Sequence, residues 1–249
     1  MVKTRIIPFQ PALILENGQR FLVVTDLHIG FEIGMISNDI NVRPEGMIQE
    51  LHSNLYSLIE SEKPDSLILL GDIKSGIESI SKIEWQMVPM FLKIGKDINT
   101  LVIPGNHDGN IARLVPDYVT MTGPSGLVIG DTLLTHGHAM PSENFAHVNR
   151  IIIGHIHPVY FQEGSVLDGQ RSWVSIKTEK GRIFPSSSGD LEIIIVPSFN
   201  KYFYATQKRY HKKSISPILE RIKDNKYSAK IVTLDGLIIG DESDLSKIL

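Results

Sequence analysis

Cysteine is missing from this 249-residue sequence, and its absence excludes several kinds of chemistry at once. The chain can form no disulfide bond, no thiolate metal site and no cysteine nucleophile. Long hydrophobic runs are missing too, since no stretch approaches the roughly 18 apolar residues of a membrane-spanning helix. Pro8 and Pro11 interrupt the N-terminal residues, which lack the continuous apolar run of a signal peptide. We therefore expect a soluble, cytoplasmic protein with no membrane partner.

Three common catalytic signatures are absent as well. The sequence has no Gly-x-Ser-x-Gly nucleophile elbow, no Walker phosphate loop and no Gly-x-Gly-x-x-Gly dinucleotide fingerprint. Its composition is that of an ordinary globular protein, 42% hydrophobic and 21% charged. The chain can therefore bury a core, and its chemistry has to be sought in other motifs.

Short apolar runs alternate with helical patterns, which is typical of α/β proteins. Helices are predicted after Pro44 and over residues 80–94, where Pro89 should kink or split the second helix. Two Gly- and Ser-rich stretches, 164–170 and 184–190, are predicted to be surface loops. The predicted strands cover residues 12–15, 20–25, 66–70, 99–103, 127–129, 132–135, 150–153, 173–177, 191–196, 231–234 and 237–239.

The domain organisation follows from the absence of repeats and of a convincing linker. We predict one domain over residues 1–249. Its motif-bearing core spans about 20–160, and a β-rich part follows over about 160–249.

Polar residues recur where the apolar strands end. Because the crevice outside the carboxyl ends of strands is where α/β proteins form sites, we expect these clusters to meet. Asp26 and His28, and likewise His155 and His157, stand at i and i+2, and near-extended backbone would point both side chains of each pair the same way. Six of the nine histidines lie in these clusters. The clusters are Asp26-Leu27-His28, Gly71-Asp72, Gly105-Asn106-His107-Asp108, His136-Gly137-His138 and Gly154-His155-Ile156-His157.

The ligand types in these clusters suit metal ions. Carboxylates, an amide oxygen and imidazoles without thiolate favour Mn, Fe, Zn or similar ions. Asp72 is the natural bridging ligand, because one carboxylate can place an oxygen on each of two ions about 3.5–4 Å apart. Two divalent ions balanced by Asp26 and Asp72 leave positive charge for a hydroxide and an anionic phosphate. The sequence therefore predicts a binuclear site that hydrolyses phosphoesters by metal-activated hydroxide.

The ordered series DLH, GD, GNHD, HGH and GHIH resembles the calcineurin-like metallophosphoesterase superfamily over about residues 21–158. The resemblance implies a four-layer α/β/β/α sandwich of two mixed β-sheets, with two divalent ions at the edge of the sheets. Manganese is the first candidate for these ions, with Fe, Zn, Ni or Mg as alternatives. The resemblance further implies that the first ion takes Asp26, His28 and His157, that the second takes Asn106, His136 and His155, and that Asp72 bridges them.

The resemblance also implies a role for the residues after Asn106. His107 would stabilise the transition state or protonate the leaving oxygen. Asp108 would orient the His107 imidazole and raise its basicity.

Several positions depart from the family pattern or stay open. Ser75 stands where many members carry a second acid, and Pro104 stands where the protein Ser/Thr phosphatases carry Arg, which sets that branch aside. Lys74 is either a contact to the substrate phosphate or a solvated loop lysine. His138 either lies behind the ligands or faces the substrate.

Three C-terminal stretches carry a finer resemblance. VPSFN (196–200), SPIL (216–219) and LDG (234–236) resemble archaeal-type uncharacterised phosphoesterases. That group is classed with the nucleases of DNA double-strand-break repair and with ligase-associated nucleases.

An acid-free, basic segment indicates what the substrate could be. The net charge is −3, yet residues 193–219 hold five Lys or Arg and no acid. Basic side chains interleaved with aromatic ones are typical of single-stranded nucleic-acid binding, although the aromatics could equally be strand core with solvated lysines at an edge. The basic residues are Lys201, Lys208, Arg209, Lys212 and Lys213.

Three functions stay open at this point. The first is a phosphodiesterase, either a nuclease or a nucleotide phosphodiesterase. The second is a small-molecule phosphomonoesterase with the same metals. The third is a non-catalytic scaffold, which would have lost ligands or the catalytic histidine, and this sequence has lost neither.

Overall fold

The computed structural model describes residues 2–37, 43–203, 216–223 and 227–248, which form two β-sheets flanked by helices. The first sheet has six strands in chain order, and it is mixed, because β1 to β3 pair antiparallel and β3 to β6 pair parallel. Its strands are β1 Lys3–Ile6, β2 Leu13–Glu16, β3 Arg20–Val24, β4 Ser66–Leu70, β5 Asn99–Ile103 and β6 Val119–Met121.

The second sheet has the order β14-β13-β11-β12-β9-β8-β7, with β10 paired to β11. It is also mixed, since β9 pairs parallel with β8 and with β12, whereas the other pairs are antiparallel. Its strands are β7 Leu127–Ile129, β8 Thr132–Leu134, β9 Arg150–Ile153, β10 Val159–Tyr160, β11 Gln170–Glu179, β12 Asp190–Ile195, β13 Tyr227–Thr233 and β14 Ile238–Asp241.

The helices begin at recognisable signals. The long helix after Arg43 starts with Pro44 in its first turn, and the next starts with a capping box between Ser81 and Glu84. Pro89 does not split that helix: it lies in the last turn, and the chain tightens into a 3₁₀ turn after Phe91. The α-helices are α1 Glu32–Ser37, α2 Pro44–Glu62, α3 Lys82–Phe91 and α4 Pro217–Ile222. The 3₁₀ turns are Leu92–Lys96, Ile111–Arg113, Glu143–Phe145, Lys180–Arg182 and Glu242–Lys247.

Side-chain alternation along the strands builds a four-layer sandwich, which confirms the fold class predicted from the sequence. In β3, Leu22 and Val24 pack with the α2 and α3 side chains, while Val23 between them packs against the second sheet. The outer face of the second sheet is covered by α4 and the last 3₁₀ turn. Phe184, predicted to lie in a surface loop, is instead buried in this outer core.

This arrangement places five loops at one edge of the molecule. Strands β3, β4 and β5 of the first sheet and β8 and β9 of the second each end where one of the polar clusters begins. The backbone joins these loops directly, because Asp26 N donates to Gly71 O at 3.1 Å and Gly154 N donates to His136 O at 3.1 Å. The fold therefore brings the polar clusters of both sheets to one place.

Candidate metal centre

The backbone of the site is bent into an unusual conformation. Non-glycine residues rarely adopt positive φ. Among the described residues eight do so, and five of these eight are metal ligands in the sequence-based prediction. The prediction that near-extended backbone aligns the i, i+2 pairs is therefore wrong, since all four paired residues are left-handed. The five are Asp26 (φ 57°), His28 (φ 45°), Asp72 (φ 51°), His155 (φ 67°) and His157 (φ 50°).

Two glycines permit the close approach of neighbouring loops. A Cβ atom on Gly154 would lie 2.0 Å from Thr25 Oγ1 and 2.8 Å from Asp26 Oδ2. A Cβ on Gly105 would lie 2.2 Å from Asp72 Oδ1. Any side chain at these two positions would therefore push an acidic ligand out of place.

The first cluster joins the motifs that end β3, β4 and β9. The ligand-type atoms of Asp26, His28, Asp72 and His157 all lie within 4.8 Å of one another, and all four residues are buried. His157 Nε2 lies 3.0 Å from Asp26 Oδ1, and His28 Nε2 lies 3.7 Å from Asp72 Oδ2. Four converging donors of this type could hold one divalent cation.

The second cluster joins Asp72 with His136 and His155, again within 4.8 Å. His136 Nε2 lies 3.1 Å from Asp72 Oδ2, and its Nδ1 faces Leu70 O at 3.0 Å. Asn106 Oδ1 is buried and has no hydrogen-bond partner among the described residues. The amide beside it, His107 N, donates to Asp72 Oδ1 at 2.8 Å, so the Asn106 loop wraps the shared carboxylate.

The electrostatics of both clusters fit a cation. Burial and the neighbouring histidine His157 lower the pKa of His28 to about 3, and burial and His136 lower that of His155 to about 4, so both imidazoles are neutral at neutral pH. Burial would raise the pKa of Asp26 and Asp72, but adjacent histidines outweigh it and hold both carboxyls ionised. Neutral imidazoles, ionised carboxylates and an unpartnered amide oxygen are the forms that bind divalent metals.

His136 behaves differently while no cation is bound. Burial would lower its pKa, but Asp72 and Asp26 raise it to about 9. At neutral pH a metal ion would therefore have to displace the His136 proton.

His107 lies at the mouth of the two clusters, with 22% of its side chain exposed. Its Nε2 is 3.9 Å from Asp72 Oδ2, and its Nδ1 faces Ser75 O. A carbonyl oxygen can only accept a hydrogen bond, so Nδ1 carries the hydrogen and Nε2 is the atom that can hold or release a proton.

Asp108 does not hydrogen-bond to the His107 ring that it was expected to orient, but binds backbone amides instead. Its Oδ1 accepts from Ile73 N and Lys74 N at 2.9 and 3.2 Å, and its Oδ2 accepts from Gly105 N at 2.8 Å. Its carboxyl therefore ties two loops of the site together, while the Ser75 carbonyl is the group that orients His107. Burial and the nearby Asp72 raise the pKa of Asp108 to about 6.

The two positions left open by the sequence have definite places. Lys74 is fully buried at 0% exposure, and its Nζ donates to Gly76 O, so it is neither solvated nor directed at a substrate. His138 is partly exposed, with its ring centroid 5.5 Å from that of His136 and 6.1 Å from that of His155. It lies beside the second cluster.

The C-terminal part of the chain completes the site, which the sequence analysis missed. Ser198 Oγ donates to Asp26 O at 2.9 Å, and Asn200 Nδ2 donates to Leu27 O at 2.8 Å. Phe203 stacks on the His28 ring, with centroids 3.7 Å apart and planes 8° apart. The signal was in the sequence, because the VPSFN stretch follows β12 just as the ligand motifs follow their strands.

The basic segment lies mostly outside the described residues. This applies to Lys208, Arg209, Lys212 and Lys213. Lys201 is described: it is exposed and pairs with Glu50 of α2. Tyr202 and Phe203, considered as strand core, belong to no strand: Tyr202 lies in a turn, and Phe203, directly after it, stacks on His28.

None of the helices in the described ranges is long and apolar enough to cross a bilayer. No curated protein sequence matches the chain significantly. Among solved structures, a nuclease MPE from Pseudomonas putida matches with a TM-score of 0.56 and 16% identity, over 96% of this chain and 100% of that one. YfcE, a phosphoesterase from E. coli, matches with a TM-score of 0.40 and 14% identity, over 89% of this chain and 97% of that one.

The family model for calcineurin-like phosphoesterases matches residues 19–183, about two thirds of the chain. This range contains every residue of both clusters together with Asn106 and His107. The chain therefore belongs to the calcineurin-like phosphoesterase family and is a hydrolase of phosphoester bonds.

Proposed function

We propose that this protein is a binuclear metal-dependent phosphodiesterase, acting as a nuclease or on nucleotides. The observation that carries the proposal is the position of Asp72, whose Oδ2 lies 3.1 Å from His136 Nε2 and 3.7 Å from His28 Nε2. One carboxylate is thus shared by both clusters, as a ligand bridging two cations must be. Asp26, His28 and His157 would hold one ion, and Asn106, His136 and His155 the other, with manganese as the first candidate.

When bound, two divalent ions would supply a nucleophile near neutral pH and neutralise charge developing on the phosphate. The chain's own residues would do the rest. His107 Nε2 would donate a proton to the leaving oxygen, since its Nδ1 hydrogen is held by Ser75 O. Asp108 would hold the Asp72 and Asn106 loops together, because it accepts hydrogen bonds from backbone amides of both.

Nucleic acid is the substrate class that the basic segment favours. The described residues on either side of its central part both contact the site. Phe203 stacks on His28, and Ser216 Oγ donates to Gly137 O at 2.7 Å. The sequence between these two contacts carries Lys208, Arg209, Lys212 and Lys213, and their side chains would bind phosphates of the substrate. Lys201 would join them by exchanging its exposed partner Glu50 for a phosphate, because exposed ion pairs contribute little to stability.

The similar solved structure supports this activity class. The Pseudomonas putida protein that shares the fold is a nuclease. Base-stacking aromatics and phosphate-binding lysines beside a two-metal site would give this chain the same kind of substrate.

A substrate panel with one matched pair of variants tests the proposal. Bis-p-nitrophenyl phosphate, p-nitrophenyl phosphate, 2′,3′-cyclic AMP and single-stranded DNA should be assayed with Mn²⁺ and with EDTA. Asp72→Asn should lower the occupancy of both ions and abolish activity. Asp97→Asn, an exposed carboxylate beside the opposite end of β5, should match the parent.

Each alternative would give a different result. A preference for p-nitrophenyl phosphate over both diesters would make the protein a small-molecule phosphomonoesterase. Absence of turnover with two ions bound would make it a scaffold. Full activity after chelation would refute the metal-dependent mechanism.

A further inference from the structure

The His28 ring lacks the backbone contact that orients the rings of His136 and His107. His136 Nδ1 faces Leu70 O at 3.0 Å, and His107 Nδ1 faces Ser75 O, so a backbone carbonyl fixes each of these rings. His28 is 0% exposed, and its Nδ1 has no hydrogen-bond partner among the described residues. Metal-ligating histidines usually need a partner on the second nitrogen, which sets the ring orientation.

Aromatic contacts surround the His28 ring instead. Phe203 lies parallel to it, with centroids 3.7 Å apart, and its edge contacts are His107 at 4.9 Å and His157 at 5.0 Å. The parallel ring covers one face of the imidazole, so His28 cannot rotate about χ2 without colliding with Phe203. A stacked ring therefore restricts the same torsion that a hydrogen bond on Nδ1 would restrict.

Phe203 is itself held firmly by residues outside the two metal clusters. The ring of Phe31 packs edge-on against it at 5.6 Å. The preceding turn is fixed because Tyr202 N donates to Asn200 Oδ1 at 3.0 Å and Tyr202 Oη donates to Glu50 Oε2 at 2.5 Å. Helix α2 and the Asn200 turn therefore hold the Phe203 ring in place over His28.

We propose that Phe203 is the positioning residue of His28, a stacked ring that takes the place of the missing hydrogen bond and sets the affinity of the first ion. The inference rests on the proposed function, since it needs a cation bound by His28. It assigns no contact between Phe203 and the metal. Phe203 also meets the His157 ring edge-on at 4.9 Å, but only the His28 ring is stacked face to face against it, so the effect would pass through the orientation of the His28 imidazole.

Titration of the metal-free full chain with Co²⁺ tests this, by calorimetry and by visible absorption. Phe203→Ala should lower the affinity for one of the two ions by roughly 10–100-fold, the range found when a partner of a ligating histidine is removed. The affinity for the other ion should not change. Phe203→Tyr, which keeps the ring, should restore the parent affinity. Phe203→Leu, which keeps apolar volume without a flat ring, should resemble Phe203→Ala and serves if that variant fails to fold.

Controls separate positioning from a general loss of structure. Tyr118→Ala removes an exposed aromatic ring just before β6, at the end of the first sheet away from the site, and it should titrate like the parent. In a His28→Ala background Phe203→Ala should have no further effect, whereas in a His155→Ala background its full effect should persist.

The outcomes that overturn the inference are distinct from failure of the proposed function. The positioning role would be refuted by any of three results: an equal loss of affinity for both ions, parent-like affinity in Phe203→Leu, or additive effects of Phe203→Ala and His28→Ala. A parent chain that binds fewer than two Co²⁺ ions would instead refute the binuclear proposal, and this inference with it.

Discussion

The Nε2 atoms of His28 and His157 lie 3.2 Å apart in the buried interior of the site. Two neutral imidazoles cannot both present lone pairs to each other at this distance without repulsion. A hydrogen on one of the two nitrogens or a cation beside both would relieve it, and the ionised carboxylates of Asp26 and Asp72 would balance the charge of such a cation.

Replacing His107 by Ala should separate chemistry from metal binding. The structure places His107 beside Asp72 but outside both ligand clusters, so bound metal should be unchanged while kcat falls by roughly 10²–10⁴-fold. The loss should be smaller for p-nitrophenolate esters, whose leaving groups need little protonation. Metal analysis and kcat measured across a leaving-group series check this, and an equal loss for every leaving group would indicate electrostatic stabilisation instead.

A methyl group at position 154 should damage the first cluster. The Cβ of Gly154→Ala would meet Thr25 Oγ1 and Asp26 Oδ2, so we expect a loss of about 1–3 kcal/mol in unfolding free energy and weaker metal binding. Gly34→Ala is the matched control, because Gly34 lies in α1 with nothing within 4 Å of the added Cβ. Urea unfolding of both variants gives the comparison, and similar stabilities would contradict the predicted clash.

The basic segment should matter for polymers and not for small diesters. Replacing Lys208, Arg209, Lys212 and Lys213 by Ala should raise KM for single-stranded DNA. It should also flatten the salt dependence, whose slope is roughly −0.7 per phosphate contacted. Turnover of bis-p-nitrophenyl phosphate should stay near the parent value. If the variant cleaves DNA like the parent, the segment has no part in recognition.

Stability should fall as the pH rises through the pKa of Glu32. This carboxyl is buried beside Gly30 N, and burial, with Glu84 nearby, raises its pKa from 4.5 to about 7. The folded state thus binds this proton more tightly than the unfolded state. The proton's contribution to the free energy of unfolding is therefore complete below about pH 4.5 and lost above about pH 7. The full effect is at most about 3 kcal/mol.

Glu32→Gln checks this assignment, since it keeps the acceptor for Gly30 N and removes the charge. Urea unfolding of the metal-free protein at pH 5 and pH 8 should show a smaller decline for this variant than for the parent. Glu60→Gln, on the exposed side of α2, should decline like the parent. Identical slopes in all three proteins would contradict the raised pKa.

The sequence predicted best where structure is decided locally. Strands β4, β5 and β9 have the predicted bounds, because continuous apolar runs are buried on both faces and end at turn residues. The convergence of Asp72 with the histidines followed from the rule that strand ends share an edge. Backbone conformation did not follow, since left-handed φ at Asp26 and His28 depends on packing between loops.

Contacts between distant segments were also beyond sequence reasoning. The Ser75 carbonyl could not be recognised as the partner of His107, because a backbone atom leaves no mark in residue type. The burial of Lys74 depends on how the Gly76 loop folds over it. The stacking of Phe203 on His28 depends on the path of the chain after β12, which no periodicity encodes.

The contacts that the C-terminal part makes with the first motif impose an order on biosynthesis. Ser198 and Asn200 hold the backbone of Asp26 and Leu27 from 172 and 173 residues further along the chain. The amino-terminal sheet can form while the ribosome is still elongating, since chains fold N-terminal regions first. The ribosome must release about 200 residues before this support exists. The cluster of Asp26, His28 and His157 should therefore bind its ion only at the end of synthesis. A fragment that ends at Ile183 should bind that ion weakly.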